Sequence, residues 1–296
     1  MTPERLNEIL HDARAKRILV IGDLMLDEFV WGKVGRISPE APVPVVEVTG
    51  ESFYPGGAAN VARNLCAFVD RVAVIGLLGA DRGGRELRRL LEEDQIEAAD
   101  LIEDPDFATI VKTRIIARQQ QVVRVDREQI RTPSFEQAKR VTESVRKLLP
   151  QVDALILEDY GKGFLGAELV TELCRMAHAA GKIVTVDPNP RHPIAWRNVT
   201  AVKPNRAEAF LAAGITWSDP TEPTQHDETL LQVGGLLLEK WDTRYLLITL
   251  GEHGMMLFDR DGAWQHIPTK ARQVFDVSGA GDTAIALFTL ALACGA

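Results

Sequence analysis

The sequence predicts an α/β sandwich in which helices cover both faces of a mostly parallel central sheet. Two patterns support this fold class. Short apolar runs alternate along the chain with amphipathic stretches of helical period, which is the order expected of β–α units. The apolar runs are nearly continuous, as they are in strands buried on both faces. The 296 residues suit one large α/β domain with an insertion or two smaller domains, and we expect a single domain over residues 1–296.

The strands and helices follow in order along the chain. Each predicted strand is a short run rich in apolar residues; these runs span residues 17–22, 72–78, 154–157, 182–186, 201–202, 245–250 and 255–258. Each predicted helix has an amphipathic pattern; these stretches span residues 60–69, 84–94, 135–149, 167–180, 206–213, 228–240 and 284–294. A further helix is expected at the N-terminus, where Pro3 suits the first helical turn.

Two strand-like segments break this alternation, because neither is followed directly by a helix. They lie at residues 43–48 and 109–126. We expect them to pair as a small β-sheet that projects from the core and closes over its mouth, with lid segments at about residues 28–50 and 107–127.

The second lid segment carries regularly spaced charges. Lys112, Arg114 and Arg118 fall at even spacing on one strand, and Arg124 and Asp126 share a face of the next. Basic residues that face inward would suit an anionic substrate. The alternative is a solvated edge whose charges discourage aggregation.

A glycine-rich turn near the end of the chain is the most informative motif. Gly279, Ala280 and Gly281 are small enough for consecutive N–H groups to face a phosphate, and the following helix favours negative charge at its start. Asp282 comes next and is placed to take a proton from an attacking hydroxyl during phosphoryl transfer. The motif therefore predicts a kinase, with an ordinary helix entry as the alternative.

Two other nucleotide-binding motifs fit less well. Gly279, Gly281 and Ala284 match a dinucleotide fingerprint, but that unit needs a second strand and an acidic residue about 20 positions later, beyond Ala296. The Walker sequence of P-loop proteins does not occur in the chain.

Polar residues at predicted strand ends supply candidate sugar contacts. Asp23 and Asp27 follow the first strand, and either carboxylate could accept hydrogen bonds from sugar hydroxyls or belong to a turn or cap. Gly56 and Gly57 precede a helix and allow a ligand to approach the backbone, while Asn60 presents an amide. The alternative for this second group is a plain helix cap.

Two later strand ends carry further candidates. Asp187 follows one strand and Lys203 follows the next. Asn205 and Glu208 fit a capping-box variant, which we favour from spacing alone; the alternative is that Glu208 holds the water shell of Mg²⁺ beside the transferring phosphates.

Composition excludes several other classes. The 34 Lys and Arg against 42 Asp and Glu give a net charge of −8 with mixed signs, which argues against nucleic-acid binding. The N-terminus predicts a capped helix rather than a secretory signal, and no apolar run approaches the roughly 18 residues that cross a bilayer. Cys66, Cys174 and Cys294 lie in apolar surroundings without metal-ligand spacing, as buried reduced thiols do. We expect a cytoplasmic protein.

Taken in order, these motifs resemble those of the ribokinase-like (PfkB) carbohydrate kinase family. The resemblance rests on the glycine pair with Asn60, the Asn205-x-x-Glu208 element and the signature at residues 276–283, and it extends from about Arg17 onward. It implies a three-layer sandwich with a β-sheet lid, ATP as donor, Mg²⁺, and a homodimer formed through the lid sheets.

The same resemblance implies roles for individual residues. Gly279, Ala280 and Gly281 would form the anion hole, and Asp282 would be the general base. Asn205 and Glu208 would serve Mg²⁺ and phosphate positioning. The remaining candidate nucleotide contacts are Asp187, Lys203, Gly251 and Ser278.

Within the family, residues 36–45 and 118–126 are similar to those of the D-glycero-β-D-manno-heptose 7-phosphate kinases. This similarity implies phosphorylation of the anomeric hydroxyl to give the 1,7-bisphosphate for ADP-heptose synthesis. We expect the kinase part only, without an adenylyltransferase half or the helical segment that follows the signature helix in the family. The alternatives are a kinase for another sugar or nucleoside, and a non-catalytic sugar-phosphate sensor.

Overall fold

A computed structural model of the protein describes residues 2–118, 120–220, 223–270 and 279–296. Its helices are α1 (Pro3–Arg14), α2 (Ala58–Cys66), α3 (Arg82–Glu93), α4 (Phe135–Leu148), α5 (Ala167–Ala179), α6 (Arg206–Ala213), α7 (Glu228–Trp241) and α8 (Ala280–Ala293). Its strands are β1 (Arg17–Gly22), β2 (Leu24–Ile37), β3 (Pro44–Gly57), β4 (Arg71–Ile75), β5 (Leu77–Gly79), β6 (Ile102–Asp104), β7 (Ile110–Ala117), β8 (Gln120–Arg127), β9 (Ala154–Glu158), β10 (Ile183–Asp187), β11 (Ala201–Val202), β12 (Tyr245–Thr249), β13 (Met255–Asp259) and β14 (Trp264–Ile267).

The main sheet has eight strands in the order β14-β13-β12-β11-β10-β9-β1-β4. The six strands from β12 to β4 are parallel, and β13 and β14 add an antiparallel edge. The predicted fold class is confirmed. Because the parallel strands all end at the same edge, the loops that follow them meet there.

Helices cover both faces of this sheet and form two apolar cores. One core includes buried side chains of α1, α2, α3 and α8, and the other includes those of α4, α5, α6 and α7. Strand side chains alternate between the cores: Leu19 and Ile21 of β1 enter one, while Ile18 and Val20 enter the other. This alternation explains why the strands are apolar at every position.

A second sheet of four strands, in the order β3-β2-β7-β8, forms the lid. The long strands β2 and β3 pair antiparallel from Leu24 with Gly57 to Ile37 with Pro44. Strand β7 runs parallel to β2, and β8 pairs antiparallel with β7. The two segments that interrupt the β–α alternation therefore lie in one sheet, but they do not pair directly, because β2 lies between them and pairs with both β3 and β7. Strands β5 and β6 form a separate small pair.

Two element boundaries differ from those expected. The run at residues 72–78 forms two strands that break at Gly76, where a Cβ would lie 2.7 Å from the carbonyl oxygen of Gly22 and closer still to Leu24. The last helix begins at Ala280 instead of residue 284, because Gly279 has the left-handed conformation that caps its start. Among the described residues, no helix combines the length and hydropathy needed to cross a membrane.

Candidate active site

The candidate active site lies where the carboxyl ends of β1, β9, β10 and β11 meet the N-termini of α2, α6 and α8. Open α/β sheets bind ligands at this edge because the loops that follow the strands form a crevice there. The lid strand β2 continues directly from β1 after a single residue, Asp23. The lid therefore starts at the same edge.

The start of α8 presents backbone donors. Gly279 has φ +77°, and a Cβ there would lie 2.8 Å from Nδ2 of Asn60, so the position requires glycine. The first helical hydrogen bond runs from the N–H of Thr283 to the carbonyl of Gly279 at 2.9 Å. The N–H groups before Thr283 precede any possible intrahelical acceptor, which makes this helix start suitable for an anion. The candidate Ser278 lies outside the described residues.

Asp282, on the first turn of α8, is held by two side chains from other elements. The hydroxyl of Tyr160 donates to Oδ1 at 2.7 Å, and Nδ2 of Asn60 donates to Oδ2 at 2.6 Å. The carboxyl group is partly exposed and is not turned into the core. Asn60 and Asp282, predicted to serve one site, are in direct contact.

Next to Asp282 lie two buried ionisable groups, Lys203 and Glu158, and the half-buried Asp187. Lys203 is 3% exposed, and its Nζ contacts Oδ2 of Asp187 at 2.8 Å. Burial alone would lower the pKa of the Lys203 ammonium, but Asp187 and Glu158 outweigh it, so the pKa is raised. Burial, together with the charges of Asp187 and Asp282, raises the pKa of Glu158 well above its ordinary value. Neither oxygen of Glu158 has a hydrogen-bond partner among the described residues.

Asp23 anchors the loop that follows β9. Its carboxylate accepts hydrogen bonds from the backbone N–H groups of Tyr160 at 2.9 Å, Lys162 at 3.0 Å and Phe164 at 3.2 Å. Asp23 is 2% exposed, and burial raises the pKa of its carboxyl group. The expectation that Asp23 accepts hydrogen bonds from sugar hydroxyls is therefore corrected, because loop amides occupy both of its oxygens.

A second buried acid fixes the same loop from the other side. Oδ1 of Asp159 accepts the N–H of Gly161 at 2.8 Å, and Oδ2 contacts Nδ1 of His192 at 2.9 Å. Burial raises the pKa of Asp159 to about 6 despite these contacts. The loop after β9 is thus tied both to β1 and to the segment after β10.

Asp27 lies on the lid strand β2, close to the edge of the main sheet. Its carboxylate is partly exposed and pairs with the guanidinium of Arg114. A Cβ on Gly56 would lie 2.8 Å from Oδ2 of Asp27, so glycine leaves room beside the carboxylate. Gly57 has φ +59° and passes so close to the carbonyl of Asp23 that a Cβ would lie 2.5 Å from it. Asp27 and the glycine pair therefore border the same space as Asn60.

The base of the lid holds a cluster of charges. Nζ of Lys162 contacts one oxygen of Glu128 at 2.7 Å, and Nζ of Lys112 lies 3.5 Å from the other. The hydrogen bond from Lys162, with the charges of both lysines, lowers the pKa of Glu128. Arg114 lies on β7 with Lys112, and its guanidinium carbon is 5.3 Å from the centre of the ring of Phe29. Two lysines and an arginine therefore face the mouth of the site, each beside a carboxylate.

Arg118 does not join this cluster. It lies in the turn after β7 with φ +50° and is exposed, so the expectation that it shares a strand face with Lys112 and Arg114 is wrong. The cause is that β7 ends at Ala117, after a bulge between Ile115 and Ile116. Arg124 and Asp126 do share a face of β8, where they pair with each other at 2.9 Å.

Asn205 and Glu208 form the favoured capping box at the start of α6. Oδ1 of Asn205 accepts the N–H of Glu208 at 2.9 Å, and Oε2 of Glu208 accepts the N–H of Asn205 at 2.8 Å. Glu208 is partly exposed, and its charge acts on both Asp187 and Lys203. No cluster of three acidic, histidine or cysteine ligands occurs in the described part of the chain. A single carboxylate still fits Mg²⁺, which commonly takes its other ligands from water and phosphates.

Gly251 begins a single 3₁₀ turn after β12, with φ +60°. Its carbonyl accepts a hydrogen bond from the hydroxyl of Thr269 at 3.4 Å. An isolated bridge pairs Asn205 with Thr249, which brings this turn beside the start of α6. The candidate nucleotide contacts thus gather on the β11 and β12 side of the edge, away from the lid.

Sequence reasoning missed the residues directly after β9. Four residues at the candidate site were not predicted: Glu158, Tyr160 and Lys162 at the end of β9 and after it, and Glu128 at the base of the lid. None of them belongs to a sequence motif of known spacing. A signal was present: two acids, a tyrosine and a lysine between glycines follow a wholly apolar strand. Such a polar run at a strand end marks the ligand edge of a parallel sheet.

Comparison with known proteins gives the family. The model of the "pfkB family carbohydrate kinase" matches residues 15–296. Two curated relatives are each named "Bifunctional protein HldE". The one from Geobacter sulfurreducens is 41% identical over 295 residues, covering 100% of this chain and 59% of the relative. The one from Helicobacter hepaticus is 39% identical over 284 residues, covering 96% and 57%. The chain spans less than two thirds of the length of these relatives.

Solved structures support the fold. Phosphofructokinase-2 from Escherichia coli, in its tetrameric inhibited form, superposes with a TM-score of 0.75 at 19% identity, covering 95% of this chain and 88% of that one. Arabidopsis thaliana ribokinase, complexed with ribose and ATP, superposes with a TM-score of 0.68 at 18% identity, covering 95% and 87%. Both share the three-layer architecture.

Proposed function

Because the chain belongs to the pfkB family of carbohydrate kinases, we propose that it transfers the γ-phosphoryl group of ATP to a hydroxyl of a phosphorylated sugar. One observation carries this proposal. Asp282 lies on the first turn of α8, directly after Gly279, Ala280 and Gly281, so a carboxylate and a set of backbone donors border the same space. A proton acceptor beside an anion site is what phosphoryl transfer to a hydroxyl requires.

In the proposed reaction, a carboxylate oxygen of Asp282 takes the proton of the attacking hydroxyl. The sugar oxygen forms a bond to the γ-phosphorus while the bond from that phosphorus to the β–γ bridging oxygen breaks, and ADP leaves with the bonding electrons. The amides at the start of α8 stabilise the charge on the transferring oxygens. Positioning and electrostatics therefore account for most of the catalysis.

The nucleotide side of the proposed site is formed by the ends of β10, β11 and β12. Lys203, Asp187, Asn205 and Gly251 gather there. Mg²⁺ held beside Glu208 would neutralise charge on the ATP phosphates.

The acceptor side is formed by the lid and the loop after β9. Asp27 and Asn60 are proposed to bind sugar hydroxyls beside Gly56 and Gly57. Three cations are proposed to bind the phosphate that the sugar already carries: Lys112 and Arg114 of the lid strand β7, and Lys162 of the loop after β9. The similarity of residues 36–45 and 118–126 to those of heptose 7-phosphate kinases supports D-glycero-β-D-manno-heptose 7-phosphate as the acceptor, with transfer to its anomeric hydroxyl for ADP-heptose synthesis.

Two alternatives make different predictions. A kinase for another sugar or nucleoside would use the same Asp282 with a different acceptor. A non-catalytic sensor would bind a sugar phosphate without consuming ATP.

Turnover with a panel of acceptors tests the proposal. We expect ADP release with Mg·ATP to be fastest with the heptose 7-phosphate, slow with the free heptose, and reduced at least about a hundredfold in kcat by Asp282→Asn, the usual scale for a positioned base. Lys162→Ala and Lys112→Ala should raise KM for the phosphorylated sugar far more than for the free sugar, with Lys139→Ala, an exposed change on α4, as the control. Binding without turnover would favour the sensor, and near-normal turnover of Asp282→Asn would remove that residue from its role.

We also propose a homodimer in which the lid sheets pack together. The outer part of the lid carries a cluster of aromatic rings, with Phe29 stacked on Trp31 and edge-on to Tyr54. Trp31 is 39% exposed and Tyr54 40%, and every residue of β8 is exposed. Burial of this surface in a second copy would remove an open sheet edge. The sedimentation mass should be twice the chain mass of 32.7 kDa, and a monomer at micromolar concentration would contradict this assembly.

A further inference from the structure

The carboxylate of Asp282 is oriented by groups from parts of the chain that are distant in sequence. Tyr160 and Asp282 are 122 positions apart, and Asn60 and Asp282 are 222 apart, yet both side chains donate to the carboxylate within 2.7 Å. One donor contacts each oxygen. A carboxyl group with a single donor can still rotate about its Cβ–Cγ bond, whereas one donor on each oxygen fixes the plane of the group.

We propose that Tyr160 is a positioning residue that orients the carboxylate of Asp282 toward the acceptor hydroxyl. This inference rests on the proposed function, because it assumes that Asp282 is the general base. Each carboxylate oxygen has two lone pairs, so Oδ1 accepts from Tyr160 and can still take the proton of a sugar hydroxyl. Tyr160 itself exchanges no proton in the reaction.

The backbone of Tyr160 is fixed by the loop anchors. Its N–H donates to the carboxylate of Asp23 at 2.9 Å. The carboxylate of the preceding residue, Asp159, accepts the N–H of Gly161 and contacts Nδ1 of His192. Asp23 directly follows the central strand β1, so the hydroxyl of Tyr160 is placed relative to the sheet and not to the lid. The orientation of Asp282 therefore depends on the main sheet and the loop after β9.

Tyr160 is suited to donate at neutral pH. Burial, followed by the charges of Glu158, Asp282 and Asp187, raises the pKa of the phenol well above its ordinary value. The hydroxyl therefore keeps its proton there and serves as the donor of the 2.7 Å hydrogen bond to Oδ1 of Asp282.

Several other groups act on Asp282 and must be kept constant in a test. Glu158 of β9 and Asp187 of β10 lie below it, and Lys203 lies close to Gly281, 3.3 Å from where a Cβ would be. Asn60 of α2 contacts the second oxygen. A change at Tyr160 leaves all of these in place.

Tyr160→Phe removes the hydroxyl and retains the ring. We expect kcat to fall about tenfold, in line with the strength of a hydrogen bond to a charged group, with KM for both substrates unchanged within about twofold. A loss confined to kcat is the expected mark of misorientation, because Tyr160 is proposed to contact neither substrate. Tyr245→Phe, at the opposite end of the main sheet, is the matched control and should leave both kcat and KM unchanged.

The outcomes separate this inference from its premise. A Tyr160→Phe enzyme with the kcat of the wild type, or with a change in KM alone, overturns the positioning role even if Asp282→Asn is inactive. If Asp282→Asn turns over normally, the proposed function has lost its base and the Tyr160 inference falls with it. Unfolding midpoints of both tyrosine variants, measured beside the rates, show whether a loss of activity comes from a loss of fold.

Discussion

The floor of the site and its lid hold charged groups in opposite ways. In the floor, Lys203 and Glu158 are buried against the ends of central strands with Asp187 half-buried beside them, and Asp282 is held by donors from two other elements. At the base of the lid, Glu128 follows strand β8, which is exposed along its whole length, and pairs with Lys112 of β7 and with Lys162 of the loop after β9. A charge pair that water cannot reach is costly to break, whereas an exposed pair contributes little to stability and is easily exchanged. The floor is therefore built to stay fixed, and the lid is built to exchange partners with a ligand.

Removing the buried cation should give the largest effect. Lys203→Met removes the cation that pairs with Asp187 and leaves Glu158 beside an unpaired carboxylate. We therefore expect the free energy of unfolding to fall by about 3–5 kcal/mol at neutral pH. Burial raises the pKa of Asp187, so the orphaned carboxyl takes up a proton more readily in the folded state than in the unfolded state. The difference in unfolding free energy between the wild type and Lys203→Met should consequently shrink as pH falls from 8 to 5.

Urea denaturation at both pH values measures this loss. Lys139→Met, an exposed change on α4, should stay within about 0.5 kcal/mol of the wild type. A Lys203→Met protein as stable as that control would show that the floor is no more rigid than the surface.

An intermediate effect is expected at the loop anchor. Asp23→Asn retains one acceptor oxygen but turns an NH₂ group toward a loop N–H, so a buried donor is left unpaired at a cost of about 1–3 kcal/mol. Because the same loop carries Tyr160, kcat should also fall.

Denaturation and steady-state kinetics of the same preparation measure both effects. Asp106→Asn, an exposed change in the turn after β6, is the control. If Asp23→Asn loses stability but keeps its full kcat, the loop is anchored independently of the base.

The smallest change in stability is expected on the lid. Glu128→Gln removes the carboxylate shared by Lys112 and Lys162, which should cost under about 1 kcal/mol because the pair is partly exposed. The freed lysines no longer have a competing anion, so KM for a phosphorylated sugar should fall, most clearly at low salt.

Kinetics at two ionic strengths measure this effect, with the unphosphorylated sugar as the internal reference. A rise in KM for the phosphorylated sugar would mean that Glu128 holds the lysines in place for the ligand instead of competing with it.

The sequence predicted the floor better than the lid, and local signals explain the difference. The strands, the helix starts and the capping box of Asn205 with Glu208 each depend on neighbours within a few residues. Asn60 and Asp282 were both assigned to the site, but their contact joins positions 222 apart and could not be deduced from spacing.

The errors arose where the course of the backbone decides which way a side chain points. Asp23 and Asp27 are equivalent by sequence pattern, yet the chain turns after β1 so that Asp23 faces loop amides more than 130 positions away. Arg118 was placed by even spacing on a strand, but a bulge and the end of β7 move it into a turn. Tyr160 and Lys162 were missed because their partners come from distant parts of the chain: Asp23 after β1, Glu128 at the base of the lid, and Asp282 of α8.

Helix α8 links the site to α1. Its 14 residues make a rod about 21 Å long, with Asp282 at one end. At the other end, the guanidinium of Arg5 on α1 donates to the carbonyl of Gly295 at 3.0 Å, where a cation also complements the helix dipole. The axial position of this rod sets the height of the carboxylate, because a displacement of one residue, about 1.5 Å, would carry Asp282 out of reach of its donors.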